Sequence, residues 1–145
     1  MNNQKGFTLF EVLLVLSILL TIFSFPLLQL EPLNKPKKVD NFFQQFENDL
    51  LLSQQNAIRQ NSLVRVIFYS NQSQYIIISA KNNQTILIRS YDSDIRIVPG
   101  TLGSTLMYLQ NGNISKSGAI TIHIDNDRYQ VVFMLGKGRF NVSKL

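Results

Sequence analysis

The 24 residues from Phe7 to Leu30 carry a single charge, Glu11. Wound as a helix, such a run measures ~36 Å at ~1.5 Å per residue, enough to cross a hydrocarbon layer of ~30 Å. A segment this apolar has few places to go: lipid, or the faces of other apolar helices. A removable secretory signal would have a shorter apolar core and a small-residue cleavage site after it. The first Ala is Ala57, so that site is missing. The chain has no Cys, which excludes a lipid-bearing cysteine, a disulfide framework, a thiolate metal site and a thiol nucleophile. The C-terminal stretch GRFNVSKL is not apolar. The expectation is one membrane pass, at the front, over residues 7–30.

The remaining composition is a poor inventory for catalysis. The chain has 145 residues, 16% charged, with one histidine, His123. Its acids are Glu11, Glu31, Glu47 and six Asp. Nucleophile–base pairs, phosphate loops and metal-ligand spacings are absent from the sequence, so neither an enzyme nor a metal or cofactor site is expected.

Glu11 is the informative charge. A carboxylate inside a spanning helix costs ~2.5–3.5 kcal/mol on insertion scales, so it needs a partner or a task. Beyond the run stand Lys35, Lys37 and Lys38, against Lys5 alone before it. That distribution runs against the positive-inside tendency if the short leading end is cytoplasmic. Pro26, Pro32 and Pro36 interrupt the pattern. Each removes a backbone donor and crowds the preceding turn, so residues 31–38 read as a linker or helix break.

From residue 39 to 145 the chain can build one sizeable core. Asp40 is a natural N-cap for a helix running to about Asn61. Val39, Phe42, Phe43, Phe46, Leu50, Ala57 and Ile58 recur at three- and four-residue spacings and form a stripe suited to a core face against a sheet or to a seam between subunits, with Glu47, Asn48, Gln55 and Arg59 opposite. After Ser62 the texture becomes β-branched and aromatic. Strands are expected over 63–69, 74–80, 85–91, 94–98, 105–110, 119–125, 128–135 and 138–143, with Asn126-Asp127 as a tight turn. Ile120, Ile122 and Ile124 alternate with Thr121, His123 and Asp125, which puts His123 on a wet face. The expected class is α+β: an N-terminal transmembrane helix, then a helix laid on antiparallel sheet.

The N-terminus adds a pattern. A polar leader, residues 1–6, ends in Lys5-Gly6; Phe7-Thr8-Leu9 and Glu11 follow, and the apolar run begins without delay. This arrangement resembles the type III signal of type IV pilins and pseudopilins. The resemblance implies cutting between Gly6 and Phe7 by a membrane-embedded prepilin peptidase, and N-methylation of Phe7. It also implies assembly through the apolar helix, with Glu11 facing the new amine of a neighbouring subunit. The phrase Ala57-Ile58-Arg59-Gln60-Asn61 before a strand, and the ending Leu135-Gly136-Lys137-Gly138-Arg139-Phe140, are similar to the minor pseudopilins of the GspH/FimT type. The implied task is that of a minor pseudopilin in the DNA-uptake machinery of competent Gram-positive bacteria; a type II secretion pseudopilus or a type IV pilus is the alternative. The implied partners are other major and minor pseudopilins and, indirectly, an assembly ATPase and a polytopic membrane platform protein. The implied location is the cell membrane, leader inside and C-terminal domain outside, then the cell surface.

Charge suggests a second contact. Loss of Lys5 leaves 13 basic and 9 acidic residues. Lys137, Arg139 and Lys144 cluster near the end, and Arg65, Arg89 and Arg96 lie on expected strands. Such groups could meet DNA phosphates without regard to sequence; ordinary solvated strand faces are the plainer alternative.

Overall fold

The computed structural model describes residues 8–24, 34–136 and 138–145. Two compact units divide the chain, residues 1–41 and residues 42–145.

In the first unit, helix α1 spans Leu9–Ser24. Its 16 residues reach ~24 Å, and no described helix is long and apolar enough to cross a membrane. Residues 25–30 of the expected span, with Pro26, lie outside the described residues, as do residues 1–7 and 31–33. The described large apolar side chains of α1 are exposed all around its circumference, from 42% at Leu19 to 80% at Leu9. Its two hydroxyl residues bond back to their own helix: Ser17 Oγ donates to the Leu14 carbonyl at 2.8 Å and Thr21 Oγ1 to the Ile18 carbonyl at 2.7 Å. That self-satisfaction lets them sit in an apolar surface at low cost.

Helix α2 spans Asn34–Gln60 and enters the second unit at Phe42. It corrects two expectations. The break expected over 31–38 does not extend through 34–38, which are helical, and Asp40 lies inside the helix rather than capping it. Pro36 permits this because it falls in the first turn, where backbone N–H groups have no intrahelical acceptor and a missing donor costs little.

Eight strands follow: β1 Val64–Tyr69, β2 Gln74–Ser79, β3 Thr85–Ser90, β4 Ile95–Pro99, β5 Thr105–Tyr108, β6 Gly118–Ile124, β7 Asp127–Phe133 and β8 Phe140–Lys144. All eight fall where periodicity and turn residues put them. They form two antiparallel sheets of four strands where a single sheet was expected, in the orders β3-β2-β1-β5 and β4-β6-β7-β8. The β6–β7 turn is Asp125-Asn126, one residue earlier than expected; Ile124 pairs Asp127 and Asp125 takes the positive φ, 52°.

The inward face of each sheet is a run of alternate apolar residues. Val64, Val66, Phe68, Tyr75, Ile77, Leu106 and Tyr108 supply it in the first; Ile95, Ile97, Ile120, Ile122, Ile124, Val131 and Phe133 in the second. Helix α2 closes the core between them. Phe46 meets Phe68 and Tyr75 of the first sheet and Phe140 of the second, at centroid distances of 6.2, 5.6 and 6.5 Å. Ser70 Oγ donates to the Ile97 carbonyl, tying one sheet to the other.

Candidate functional site

The N-terminal site begins with local helix chemistry. Thr8 precedes α1 and Glu11 stands in its first turn. The Thr8 amide donates to Glu11 Oε2 at 3.0 Å, and the Glu11 amide donates to Thr8 Oγ1 at 3.3 Å. The two residues thereby satisfy each other's orphan amides, the reciprocal capping box of a Thr-x-x-Glu sequence. The Thr8 hydroxyl also donates to Oε2, at 3.0 Å. Glu11 thus has a task before it meets any other subunit, which the sequence reading missed. The signal was present as Thr8-Leu9-Phe10-Glu11 immediately before an apolar run. Oε1 has no partner among the described residues and Glu11 is exposed. The cleavage residues Gly6 and Phe7 lie outside the described residues.

The C-terminal basic cluster separates in the structure. Lys137 lies outside the described residues. Arg139 is exposed, at the rim of a groove of about 600 Å³ that Glu47, Leu51, Gln54, Met134 and Phe140 also line. Lys144 pairs with Asp127 at 2.9 Å and lies 5.9 Å from the Tyr129 ring centroid. The Asp127 carboxylate accepts from the ammonium and holds its pKa above the ordinary lysine value. Gly138 fixes the path of this hairpin. Its φ is +61°, and a Cβ there would stand 2.7 Å from Gln54 Nε2 and 2.9 Å from Tyr108 Cε1. Gln54 Nε2 in turn donates to the Gly112 carbonyl at 2.7 Å.

The strand arginines have different surroundings. Arg89 grips Asp49 of α2 through both oxygens, at 2.8 Å from Nε and 3.0 Å from Nη2. The Tyr75 hydroxyl donates to the same carboxylate at 2.7 Å. Asp49 is 5% exposed, so this is a buried anion neutralised by a two-pronged cation and a phenol. Burial, then the contact with Asp49, pushes the Tyr75 phenol far above its ordinary range. The bond to Asp49 raises Arg89 as well. Arg89 is thereby committed to the core and not to a solvated partner. Arg65 Nη2 donates to Asn83 Oδ1 at 3.0 Å. Arg96 is exposed and lies opposite His123.

Among the described residues, no group of three or more His, Asp or Glu is arranged to hold a metal ion.

Three comparisons bear on this arrangement. The signature described as the prokaryotic N-terminal methylation motif matches residues 1–25. The chain is similar to competence protein ComGD of Bacillus subtilis (strain 168), 30% identical over 144 residues, covering 99% of this chain and 96% of that protein. In fold it resembles the minor pseudopilin EpsH from the type 2 secretion system of Vibrio cholerae. That likeness has a TM-score of 0.54 at 15% identity, over 70% of this chain and 92% of that one. The EpsH likeness shows the pilin-like fold alone, whereas near-complete kinship at 30% identity shows the family. With a methylation motif at the front, a pilin-like α+β body behind it and a competence protein as a full-length relative, the chain belongs to the ComGD family of competence pseudopilins.

Proposed function

We propose that this chain is made as a single-pass membrane precursor, leader inside and body outside. In this reading the prepilin peptidase cuts it after Gly6 and Phe7 is N-methylated. The helix then leaves the bilayer to join a competence pseudopilus that brings DNA through the cell wall. The observation that carries this is the ComGD kinship across 99% of the chain, joined to the methylation motif over residues 1–25.

The physics runs in the same direction. A helix that exposes apolar side chains on every side has no stable place in water. It must reside in lipid or against like helices, and a pseudopilin uses both in turn. The described 16 residues fall short of a bilayer; the apolar run of the sequence continues over residues 7 and 25–30, which lie outside the described residues. Inside such a bundle, Glu11 already holds its own helix start through Oε2 and presents Oε1 to the Phe7 amine of a neighbour. Pairing two charges out of water costs less than leaving either alone, so the contact fixes axial register between subunits. An assembly ATPase and a membrane platform protein supply the work of extraction, and other major and minor pseudopilins supply the faces. The C-terminal group Lys137, Arg139 and Lys144 remains a second proposal, for DNA contact; the Asp127 pairing weakens it at Lys144.

The test is mass spectrometry of the protein from its native host, joined to transformation of a strain lacking it. The expected product starts at a methylated Phe7, and the deletion loses transformation. Glu11→Ala should still be cut yet fail to enter pseudopili. An intact, unmethylated Met1 start, or undiminished transformation, defeats the reading.

A further inference from the structure

Strand register brings together three groups that are far apart in sequence. Arg96 of β4 is the Cα partner of His123 on β6, and His123 is the Cα partner of Arg128 on β7. All three have the outward parity of the second sheet, because their neighbours Ile95, Ile97, Ile122 and Ile124 fill the core. Arg96 and Arg128 are exposed and His123 is half-buried between them. Adjacent strands lie ~4.8 Å apart, so the row is ~10 Å long, with a guanidinium-bearing residue at each end.

On the strands themselves that charge meets no carboxylate. The next outward row is Val98, Thr121, Gln130 and Ser143, in register, and Asn141 stands opposite Val132 beyond it. No outward position of these four strands holds a carboxylate. Asp94 and Asp125 stand in the turns at one end of the row, Asp127 has inward parity and pairs with Lys144, and Glu47 of α2 shares a groove with the outward residues Val132 and Asn141. Neither Arg96 nor Arg128 has an ion pair or a side-chain hydrogen bond among the described residues.

We infer that this outer face of the second sheet is a contact surface for the phosphodiester backbone of DNA. It is distinct from the C-terminal Lys137–Arg139–Lys144 group. One DNA strand carries a phosphate per ~3.4 Å of helix axis, so a row ~10 Å long faces roughly three of them. Guanidinium groups engage phosphate oxygens through two parallel N–H bonds, and the hydroxyls and amides of the neighbouring rows suit the polar contacts that position a backbone. Base edges are not read by such a flat row, so the contact is blind to sequence. With two arginines the contact of one subunit is weak, so it is read at low salt, where phosphate contacts are strongest. The choice of DNA among polyanions rests on the competence reading above.

The experiment uses the full-length mature chain in neutral detergent with a short fluorescent DNA duplex, read by anisotropy. Binding should weaken about 10-fold between about 50 and 200 mM salt, as release of counterions from two phosphates requires. The double variant Arg96→Gln with Arg128→Gln should bind at least ~10-fold more weakly, with a log–log salt slope shallower by about 2. A charge-matched control, Lys81→Gln with Lys116→Gln, should stay within about twofold of the parent. Three results would overturn the inference: no binding by the parent at low salt, equal losses in both double variants, or preference for phosphatidylglycerol vesicles over DNA. Cleavage and pseudopilus entry are followed in the same strains. A double variant that is cut and assembled but does not bind DNA supports the surface. An uncut parent defeats the pseudopilin reading without touching the binding result.

Discussion

The two sheets obey one rule on their inner faces and opposite rules on their outer ones. Inside, both present alternate apolar residues to the same core. Outside, the first sheet carries the row Thr105–Ile67–Ile76–Ile88, with Met107, Arg65 and Ile78 beside it. The second carries Arg96–His123–Arg128 and the row Val98–Thr121–Gln130–Ser143, polar but for its valine. An antiparallel sheet with one wet face ordinarily alternates apolar and polar residues. The second sheet does so; the first puts isoleucine where solvent should be, with Ile88 56% exposed. The difference teaches that alternation decides which face is core, while the outward residues decide what the face is for. Each sheet also contributes to an ion pair, the two nearly equal in length: Arg89 with Asp49 of α2 at 2.8 Å and Lys144 with Asp127 at 2.9 Å. They differ in burial, and that difference ranks the variants below.

The largest effect belongs to the first sheet. In Arg89→Met the Asp49 carboxylate loses two of its donors and keeps only Tyr75. Side-chain exposure at Asp49 is 6%, so water cannot replace them. Breaking a buried pair from one side costs about 3–5 kcal/mol. Urea unfolding of the full chain in detergent should show a fall of that size, little relieved by salt. A loss under ~1 kcal/mol would mean that Asp49 is better hydrated than its burial implies.

Next comes Gly138→Ala, in the hairpin between β7 and β8 of the second sheet. A Cβ at φ +61° is disfavoured, and this one also meets Gln54 and Tyr108 within 3 Å. Left-handed strain and overpacking together cost about 2–3 kcal/mol. Replacing Gly136, where φ is +95° but nothing lies within 4 Å, isolates the backbone part and should cost less.

A smaller change tests the outer rows. Ile76→Thr swaps a member of the isoleucine row for the residue type that Thr121 supplies on the other sheet. Cross-strand apolar pairs contribute about 0.2–1 kcal/mol each, and Ile76 lies between Ile67 and Ile88. The expected cost is about 1 kcal/mol, with reduced self-association in light scattering. A stabilised variant would show that the row is a plain solvent face.

Much of this was legible before any coordinates. Strand positions followed from β-branched runs between Asn, Gly and Ser turns, because both signals are local. Glu11 stood out because an acid in an apolar run is costly. The Asp49–Tyr75–Arg89 contact did not appear, although the α2 stripe already contained its clue. Phe42, Phe46, Leu50 and Ala57 are buried as expected, and the same phase buries Asp49, Ser53 and Asn56, while Ile58 is 53% exposed. A stripe read only for apolar residues misses the polar ones at the same angle. Ser53 and Asn56 bond within the helix, but the partners of Asp49 lie 26 and 40 residues away, where no spacing argument reaches. Division into two sheets was hidden for a related reason: alternation names a face but not the strand beside it. The basic row of the second sheet needed the pairing of β4, β6 and β7 before Arg96, His123 and Arg128 became neighbours.

The smallest effect is Lys144→Met, and it completes the ion-pair comparison. The Lys144 side chain is more than half exposed, and Asp127 is about half exposed. Attraction across such a pair is offset by hydration lost and side-chain freedom given up, so exposed pairs contribute little. The sign of its pH dependence is fixed. Asp127 raises the folded-state pKa of Lys144 above its ordinary value, so whatever the pair adds is present below that value and lost as pH rises through the folded one. At neutral pH the contribution is therefore intact, and salt should screen it, unlike the Arg89 contact. Lys144→Met should thus leave unfolding by urea nearly unchanged, with any difference disappearing at high salt. A loss that matched Arg89→Met would mean that distance rather than burial sets the worth of an ion pair here, and the ranking of the two sheets would fall with it.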